Sequence, residues 1–458
     1  MNDSFEHWTA VILAAGQGKR MRSSLPKVLH PLAGRPMVRY VVDAAREAGF
    51  RRCVVVIAPD GDAVRAALGD GIDYVTQAEA LGTGHAVAQA QQAASEAEQL
   101  LVLNGDVPLV TAETLARLAR AHEEQAADLS FLTAQVDEAG EYGRVQRDSD
   151  GRVTGIVEAA ELDNVTEGPA EINAGQYCFR ARWLWPNLAA IPSTGPSAGD
   201  GERYLTSLIA IAAREGATLL PVPALDPDEV RGINDRAQLA HAEAILRGRI
   251  NHRHLLAGVS LVDPATTYID AGVTIGRDTV IEPNSYLRGA TSVGEGCRLG
   301  PNTILRDATV GDRCHIVAST VESATLEEDV DVGPYSHLRP DSYLCASVHI
   351  GNFAEVKNAR LGKGVKMGHH SYIGDADVGE EANIGAGAVT VNFDGRNKHR
   401  TVIGRGAFVG SDTMLIAPVT VGDGARTGAG AVVTHDVPPG ALAVGAPARI
   451  VSEEDAKA

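Results

Sequence analysis

Aromatic residues make up only 4% of this 458-residue chain. That shortage, set beside 49 glycines, disfavours a helical bundle and suits a glycine-punctuated β architecture. Cysteine is also sparse. Cys53, Cys178, Cys297, Cys314 and Cys345 are scattered, odd in number and form no CxxC pair. A disulfide framework or zinc site is therefore disfavoured, and reduced, buried thiols are expected. No apolar run reaches membrane-spanning length. The opening MNDSFEHWTAVILAAG lacks the basic and long apolar regions of a signal peptide. These absences lead to the expectation of a cytoplasmic protein with no membrane partner. Positive charge is in deficit too, for a net charge of −18, which opposes general nucleic-acid binding. An anionic substrate would need local basic side chains and backbone N–H groups.

What is present divides into two grammars, and the length itself exceeds one ordinary core. The first part alternates strand-like runs (TAVILAAG, CVVVIAP, IDYVTQ, QLLVLNGD) with helical segments such as MVRYVVDAAREAG and TAETLARLARAHEEQ. Short glycine-containing links between them predict a mainly parallel, doubly wound α/β domain, Rossmann-like, over residues 1–232. Ligands bind such sheets at the carboxyl ends of the strands. A linker helix follows at 233–257, with its regular part from Arg236 to Leu256. From 258 to 458 an aliphatic residue recurs every sixth position. One frame holds Ile275, Ile281, Leu287, Val293, Leu299 and Leu305; a second holds Leu326, Val332, Leu338, Leu344, Ile350 and Val356; a third holds Ile403, Val409, Leu415, Val421, Thr427 and Val433. Hexapeptide repeats of this kind predict a left-handed parallel β-helix, with three hexads per coil and coils stacked about 4.8 Å apart.

Three stretches of the first domain stand at strand ends. LAAGQGKRMRSSLPKVL (13–29) is glycine-rich and basic, so its N–H groups with Lys19, Arg20, Arg22 and Lys27 can cradle phosphates. A plain strand–helix turn is an equal reading, because neither a P-loop nor a complete dinucleotide fingerprint is present. NGDVPL (104–109) ends a buried strand with Asp106, which can hold Mg²⁺ against phosphate oxygens; a helix cap is the bland alternative, and Thr111 is the better cap. QAEALGTGHA (77–86) can read a base or sugar. Taken together, and continued through YGRV (142–145), IVE (156–158), EINAG (171–175) and GIND (232–235), these motifs resemble the sugar-phosphate nucleotidyltransferase family. With the hexapeptide half included, the whole chain is similar to its bifunctional uridyltransferase–acetyltransferase members.

That resemblance implies an enzyme of UDP-N-acetylglucosamine supply for cell-wall and lipopolysaccharide precursors. Acetyl transfer from acetyl-CoA to glucosamine-1-phosphate would occur in the second half. Uridylyl transfer from UTP to N-acetylglucosamine-1-phosphate, with release of pyrophosphate, would occur in the first. By the same resemblance Leu13, Ala14, Ala15 and Gly16 pack around the nucleotide, and Lys27 contacts its phosphates. Gln77, Gly82 and Thr83 hold the uracil and ribose, and Gly143, Glu158 and Asn173 the amino sugar. Asp106 and Asn234 coordinate Mg²⁺. Lys19 stands where the family often has Thr, and Asn104 where it often has Tyr.

In the second half, Arg339, Lys357, His369, Tyr372, Asn383 and the loop NFDGRNKH interrupt the hexad pattern. A scaffold has no need of such a cluster, and Arg339 and Lys357 lie 18 residues apart, one coil. The resemblance makes His369 the base that deprotonates the attacking amine, and Arg339, Lys357, Tyr372 and Asn383 the ligands of glucosamine-1-phosphate. Ala386, Asn392, Phe393, Ser411 and Ala429 would line the acetyl-CoA groove, with Phe393 replacing the usual Tyr and Arg449 a candidate for the CoA phosphates. His370 reads as a neighbour facing away. The resemblance also implies a homotrimer with shared acetyltransferase sites. Two rivals stay open on residues alone: a pyrophosphorylase for another nucleotide sugar whose β-helix only oligomerises or regulates, and a binding protein with an inactive first domain.

Overall fold

The computed structural model describes residues 5–16, 18–159, 168–192 and 202–451. It forms two compact units, Met1–Leu246 and Arg247–Ala458.

Among the described residues, the first unit is built on a nine-stranded sheet. Its strands are β1 (Trp8–Ala14), β2 (Arg52–Ile57), β3 (Asp73–Thr76), β4 (Gln99–Asn104), β5 (Leu129–Val136), β6 (Arg144–Arg147), β7 (Val153–Val157), β8 (Ala170–Arg180) and β9 (Leu219–Pro223). The order is β9-β5-β8-β4-β1-β2-β3, with the β6–β7 hairpin attached to β8. β1 lies parallel between β2 and β4. These central strands are buried on both faces, which is why they read as unbroken apolar runs. Val41 and Val42 of the helix Met37–Glu47 and Leu115 and Leu118 of the helix Ala112–Glu124 share a core with Ile12, Leu101 and Leu103. On the opposite face the helices Thr83–Gln89, Ala181–Ala189 and Ser207–Glu215 pack with Val11, Val54 and Val102. The sheet is mixed rather than uniformly parallel. β8 runs antiparallel to both β4 and β5, because a hairpin, not a crossover helix, separates it from β5.

The helix Arg236–Leu256 follows. In the second unit Asn251 anchors it by donating from Nδ2 to the carbonyls of Pro264 (2.9 Å) and Thr267 (3.1 Å).

The second unit is a parallel β-helix whose short strands stack into ladders of 12 and 17 strands. Of the eighteen hexad positions named above, all but Ile275 are buried. Thr427 is no exception. It faces inward, accepting from Gly410 N–H at 2.9 Å and sharing a hydrogen bond with Thr413 at 2.9 Å. The frame shifts have a plain cause in the register. Leu287 pairs with Leu305, but Leu305 pairs with Val321 and Val321 with Leu338, so successive coils take 18, 16 and 17 residues. The break after Val391 is larger: Thr390 pairs with Leu415 and Val378 with Ile403, each step being 25 residues. The helix therefore continues unbroken, with an extruded loop added to one coil.

Candidate functional site

The expected residues of the first unit converge at the carboxyl end of β1 and β4. A cavity of about 600 Å³ is lined by Leu13, Ala15, Gly16, Lys19, Lys27, Gln77, Gly82, Thr83, Asn104, Asp106 and Asn234, with Arg20 and Tyr204. A second, of about 260 Å³, is lined by Gly143, Glu158, Asn173, Tyr142 and Thr206, and shares Thr83, Asn104, Asp106 and Asn234 with the first. Ala14 lines a third, of about 320 Å³, which shares Ala15, Gly16 and Gln77 with the first. The expected nucleotide and sugar residues thus sort into adjoining cavities with Asp106 on their common wall.

Local sequence explains each placement. Gly18 adopts φ +57°, and a Cβ there would come within 2.5 Å of the Lys27 Cβ, so only glycine lets the loop close over Lys27. Gly105 follows β4 and donates its N–H to Leu13 O at 2.9 Å, tying the strand end that carries Asp106 to the start of the loop. Lys27 Nζ donates to Asp106 Oδ2 and, at 2.9 Å, to Asn234 Oδ1. Two oxygen acceptors from distant segments are thereby aimed at one cationic centre. Ile233 N–H donates to Asp106 O at 2.9 Å, and Tyr142 Oη accepts from Gly232 N–H at 2.8 Å. Burial pushes the Tyr142 phenol above its ordinary pKa, so this hydroxyl stays neutral.

Polar side chains around the cavities are oriented by specific partners. Gln77 Nε2 donates to Gly82 O at 3.1 Å and lies 3.2 Å from His85 Nδ1, which leaves its carbonyl oxygen as an acceptor. Thr83 Oγ1 accepts from Leu205 N–H at 3.0 Å. Asn173 donates to Tyr177 Oη at 2.7 Å, and Glu158 Oε1 accepts from Thr206 at 2.6 Å. Arg20 of the basic loop pairs with Glu141, a partner that loop composition does not reveal.

In the β-helix the expected residues occupy two edges. His369 ends the strand Lys366–His369, in register with Asn352. Its Nδ1 donates to Asn352 Oδ1 at 2.6 Å, which leaves Nε2 as the nitrogen able to take a proton. Gly387 N–H donates to His369 O (3.3 Å), Asp412 N–H to Ala386 O (2.7 Å) and Gly430 N–H to Ser411 O (2.8 Å). His369, Ala386, Ser411 and Ala429 therefore climb one corner of successive coils. His370 turns that corner at φ +47° and stacks on Phe353 at 5.1 Å.

Across the turn, Tyr372 opens the next strand, in register with Glu355. Arg339 donates to Glu355 Oε1 at 2.7 Å, and this pairing holds the guanidinium pKa above its usual value. Lys357 is shifted the other way, chiefly by contact with Lys398 and also by Arg339. Three cations thus gather on one edge. Lys398, a cation of the extruded loop, reaches this edge through the way the loop folds back, which hexad spacing does not report. Asn392 opens that loop and donates to Tyr372 Oη at 3.3 Å, while Phe393 is exposed and bridges to Lys398. Asn383 is not drawn into this cluster: it pairs with Lys366 and Phe408 on the other ladder. Arg449 lies in the terminal strand Arg449–Val451, against Val444.

Comparison with known proteins covers both halves. Residues 10–210 match the MobA-like NTP transferase domain family. Residues 295–386 match the GlmU-like C-terminal hexapeptide family, and residues 272–307 and 400–435 match the bacterial transferase hexapeptide repeats. The bifunctional protein GlmU of Trichlorobacter lovleyi is 48% identical over 439 residues, spanning 95% of both chains. The chain belongs to the GlmU family. The GlmU proteins of Pelobacter propionicus (47% identical, 96% of both chains) and Brevibacillus brevis (43%, 95% of this chain and 94% of the relative) match at similar length. GlmU relatives matching along both halves set aside the two rival readings. The protein is a bifunctional transferase: a nucleotidyltransferase joined to a hexapeptide acetyltransferase, the two activities of UDP-N-acetylglucosamine synthesis.

Proposed function

We propose that the joined cavities of the first unit transfer a uridylyl group from UTP to N-acetylglucosamine-1-phosphate, and that the His369 corner acetylates glucosamine-1-phosphate. The observation that carries the first assignment is the convergence of Lys27, Asp106 and Asn234 between the two cavities. The sugar phosphate oxygen attacks the α-phosphorus, pyrophosphate leaves, and no protein nucleophile is required. Catalysis then rests on positioning and charge. Lys27, with Lys19 and Arg20, neutralises the phosphates. Gln77, Gly82 and Thr83 hold the base and ribose, and Gly143, Glu158 and Asn173 the sugar. A carboxylate and an amide oxygen that already meet at one cation suit Mg²⁺, which binds few protein oxygens and completes its shell from phosphate and water. Asp106 and Asn234 would hold it, and it would supply charge neutralisation at the phosphate oxygens.

For acetyl transfer, Nε2 of His369 takes a proton from the 2-amino group as that nitrogen attacks the thioester carbonyl, and CoA leaves as the thiolate. Arg339, Lys357 and Tyr372 hold the phosphate and sugar. Ala386, Asn392, Phe393, Ser411 and Ala429 wall the acyl donor. The separate placement of Asn383 supports a site completed by another copy of the chain, so we take the assembly to be a homotrimer with shared acetyltransferase sites. Tyr335 and Phe353, exposed and stacked at 5.4 Å, supply apolar surface for such packing. UTP and acetyl-CoA as substrates suit the cytoplasm.

Purified protein given glucosamine-1-phosphate, acetyl-CoA, UTP and Mg²⁺ should release free thiol and pyrophosphate, assayed separately. Pyrophosphate release that persists when N-acetylglucosamine-1-phosphate is supplied, with no thiol release, would reduce the second unit to a scaffold.

A further inference from the structure

We propose that Asp375 is a positioning residue for acetyl transfer, coupling the cation cluster that receives the sugar phosphate to the loop that walls the acyl donor. This rests on the reading of that edge given above. Asp375 belongs to the strand Tyr372–Val378 and is only 7% exposed, unusual for a carboxylate in a chain with so much acidic surface. Its burial is compensated by two amides. Oδ1 accepts from Asn358 Nδ2 at 2.5 Å, and Oδ2 accepts from Asn392 Nδ2. Both donors mark functional ground. Asn358 follows Lys357 directly in its strand, and Asn392 is the first residue of the extruded loop and also reaches Tyr372 Oη.

Charge argues in the same direction. Lys357, Lys398 and Arg339 repel one another, whereas Asp375 favours the charged form of Lys357. The carboxylate therefore does two things at once. Its hydrogen bonds hold the loop's root against the coil, and its charge offsets that of Lys357 within the crowded cluster while the phosphate is absent. A regular hexapeptide coil needs neither, since the inward aliphatic residue and the backbone ladder already hold it together.

The two functions predict opposite effects on the two substrates, which a merely structural residue would not give. In Asp375→Asn, one amide–carboxylate bond is lost and the cluster becomes more positive. The KM for acetyl-CoA should rise about tenfold, the scale of one charge-assisted hydrogen bond. The KM for glucosamine-1-phosphate should stay level or fall. Uridyltransferase activity and the thermal unfolding midpoint serve as controls for folding. The double variant D375N/N358D exchanges amide and carboxylate, restores both hydrogen bonds and returns the charge, so the acetyl-CoA KM should fall back to within about twofold of the parent. Should Asp375→Asn fail to fold, Asn358→Ala carries the test through a smaller rise of the same kind. An unchanged acetyl-CoA KM, a parallel rise in both KM values, or no recovery in the double variant overturns the proposal. A parent enzyme that releases no thiol overturns the acetyltransferase reading itself.

Discussion

On the proposed reading single residues carry the chemistry, and their partners set what each can do. His369 keeps Nε2 free only while Asn352 accepts from Nδ1. Replacing His369 by Ala should lower acetyl transfer at least about 100-fold, the scale of a lost general base, and leave uridylyl transfer intact. Asp106→Ala should do the reverse, with thiol and pyrophosphate release measured on each variant. His122 illustrates a structural histidine instead. It is buried, lies 2.8 Å from Ser130 Oγ and 3.1 Å from Gln99 Oε1, and meets the Trp8 ring edge-on at 5.5 Å. Burial, reinforced by Arg180 and opposed by Asp128, lowers its pKa to about 4. A folded pKa below the unfolded value means that the unfolded chain binds the extra proton first. Stability is then fully present above about pH 6.5 and is lost as pH falls toward about 4. Between pH 7 and 4.5 the parent should lose about 2–3 kcal/mol more than His122→Gln, read from urea unfolding of the first unit.

At the scale of elements, the decisive feature is a loop inserted into a ladder that does not notice it. Strands on either side of residues 392–399 pair in register, Thr390 with Leu415 and Val378 with Ile403. The loop is held by its own contacts: Asp394 accepts from the N–H groups of Arg396 and Asn397, each at 2.7 Å, and from His399 at 2.8 Å. Those bonds lower the Asp394 pKa to about 2. Excising seven residues, 393–399, would return the 25-residue step to 18. The β-helix should keep its cooperative thermal unfolding, while acetyl transfer should vanish if, as proposed, the loop walls the acyl donor and supplies Lys398. Retained acetyl transfer in that variant would place the acyl donor elsewhere.

For the whole molecule, two units with separate cores make two activities separately breakable. The nucleotidyltransferase core is a sheet sandwiched by helices, and the β-helix core is a stack of aliphatic residues. Apolar surface remains on the β-helix: Tyr335, Phe353, Phe393 and Phe408 are all at least half exposed. If copies pack there, sedimentation should report a trimer. Tyr335→Glu combined with Phe353→Glu should then yield monomers that lose acetyl transfer but keep uridylyl transfer. Monomers with both activities intact would separate assembly from catalysis.

Much of this was readable in the linear chain, and the reason is periodicity. A hexad repeat specifies a coil because each inward position must be small enough to stack and apolar enough to bury, and seventeen of the eighteen positions named from sequence are buried. Likewise the apolar strands ending in LAAG and NGD declared their ends, and with them the place of Lys27 and Asp106. Tertiary structure alone decided the rest. Coil lengths of 16, 17 or 25 residues depend on which corner accommodates a left-handed residue or a loop, and no fixed spacing encodes that. The antiparallel course of β8, the pairing of Arg20 with Glu141 and the grip of Asp375 on Asn358 and Asn392 join residues 17 to 121 positions apart. Short-range pattern reports which faces are buried; which polar side chains meet across coils and loops is settled only when the ladders fall into register.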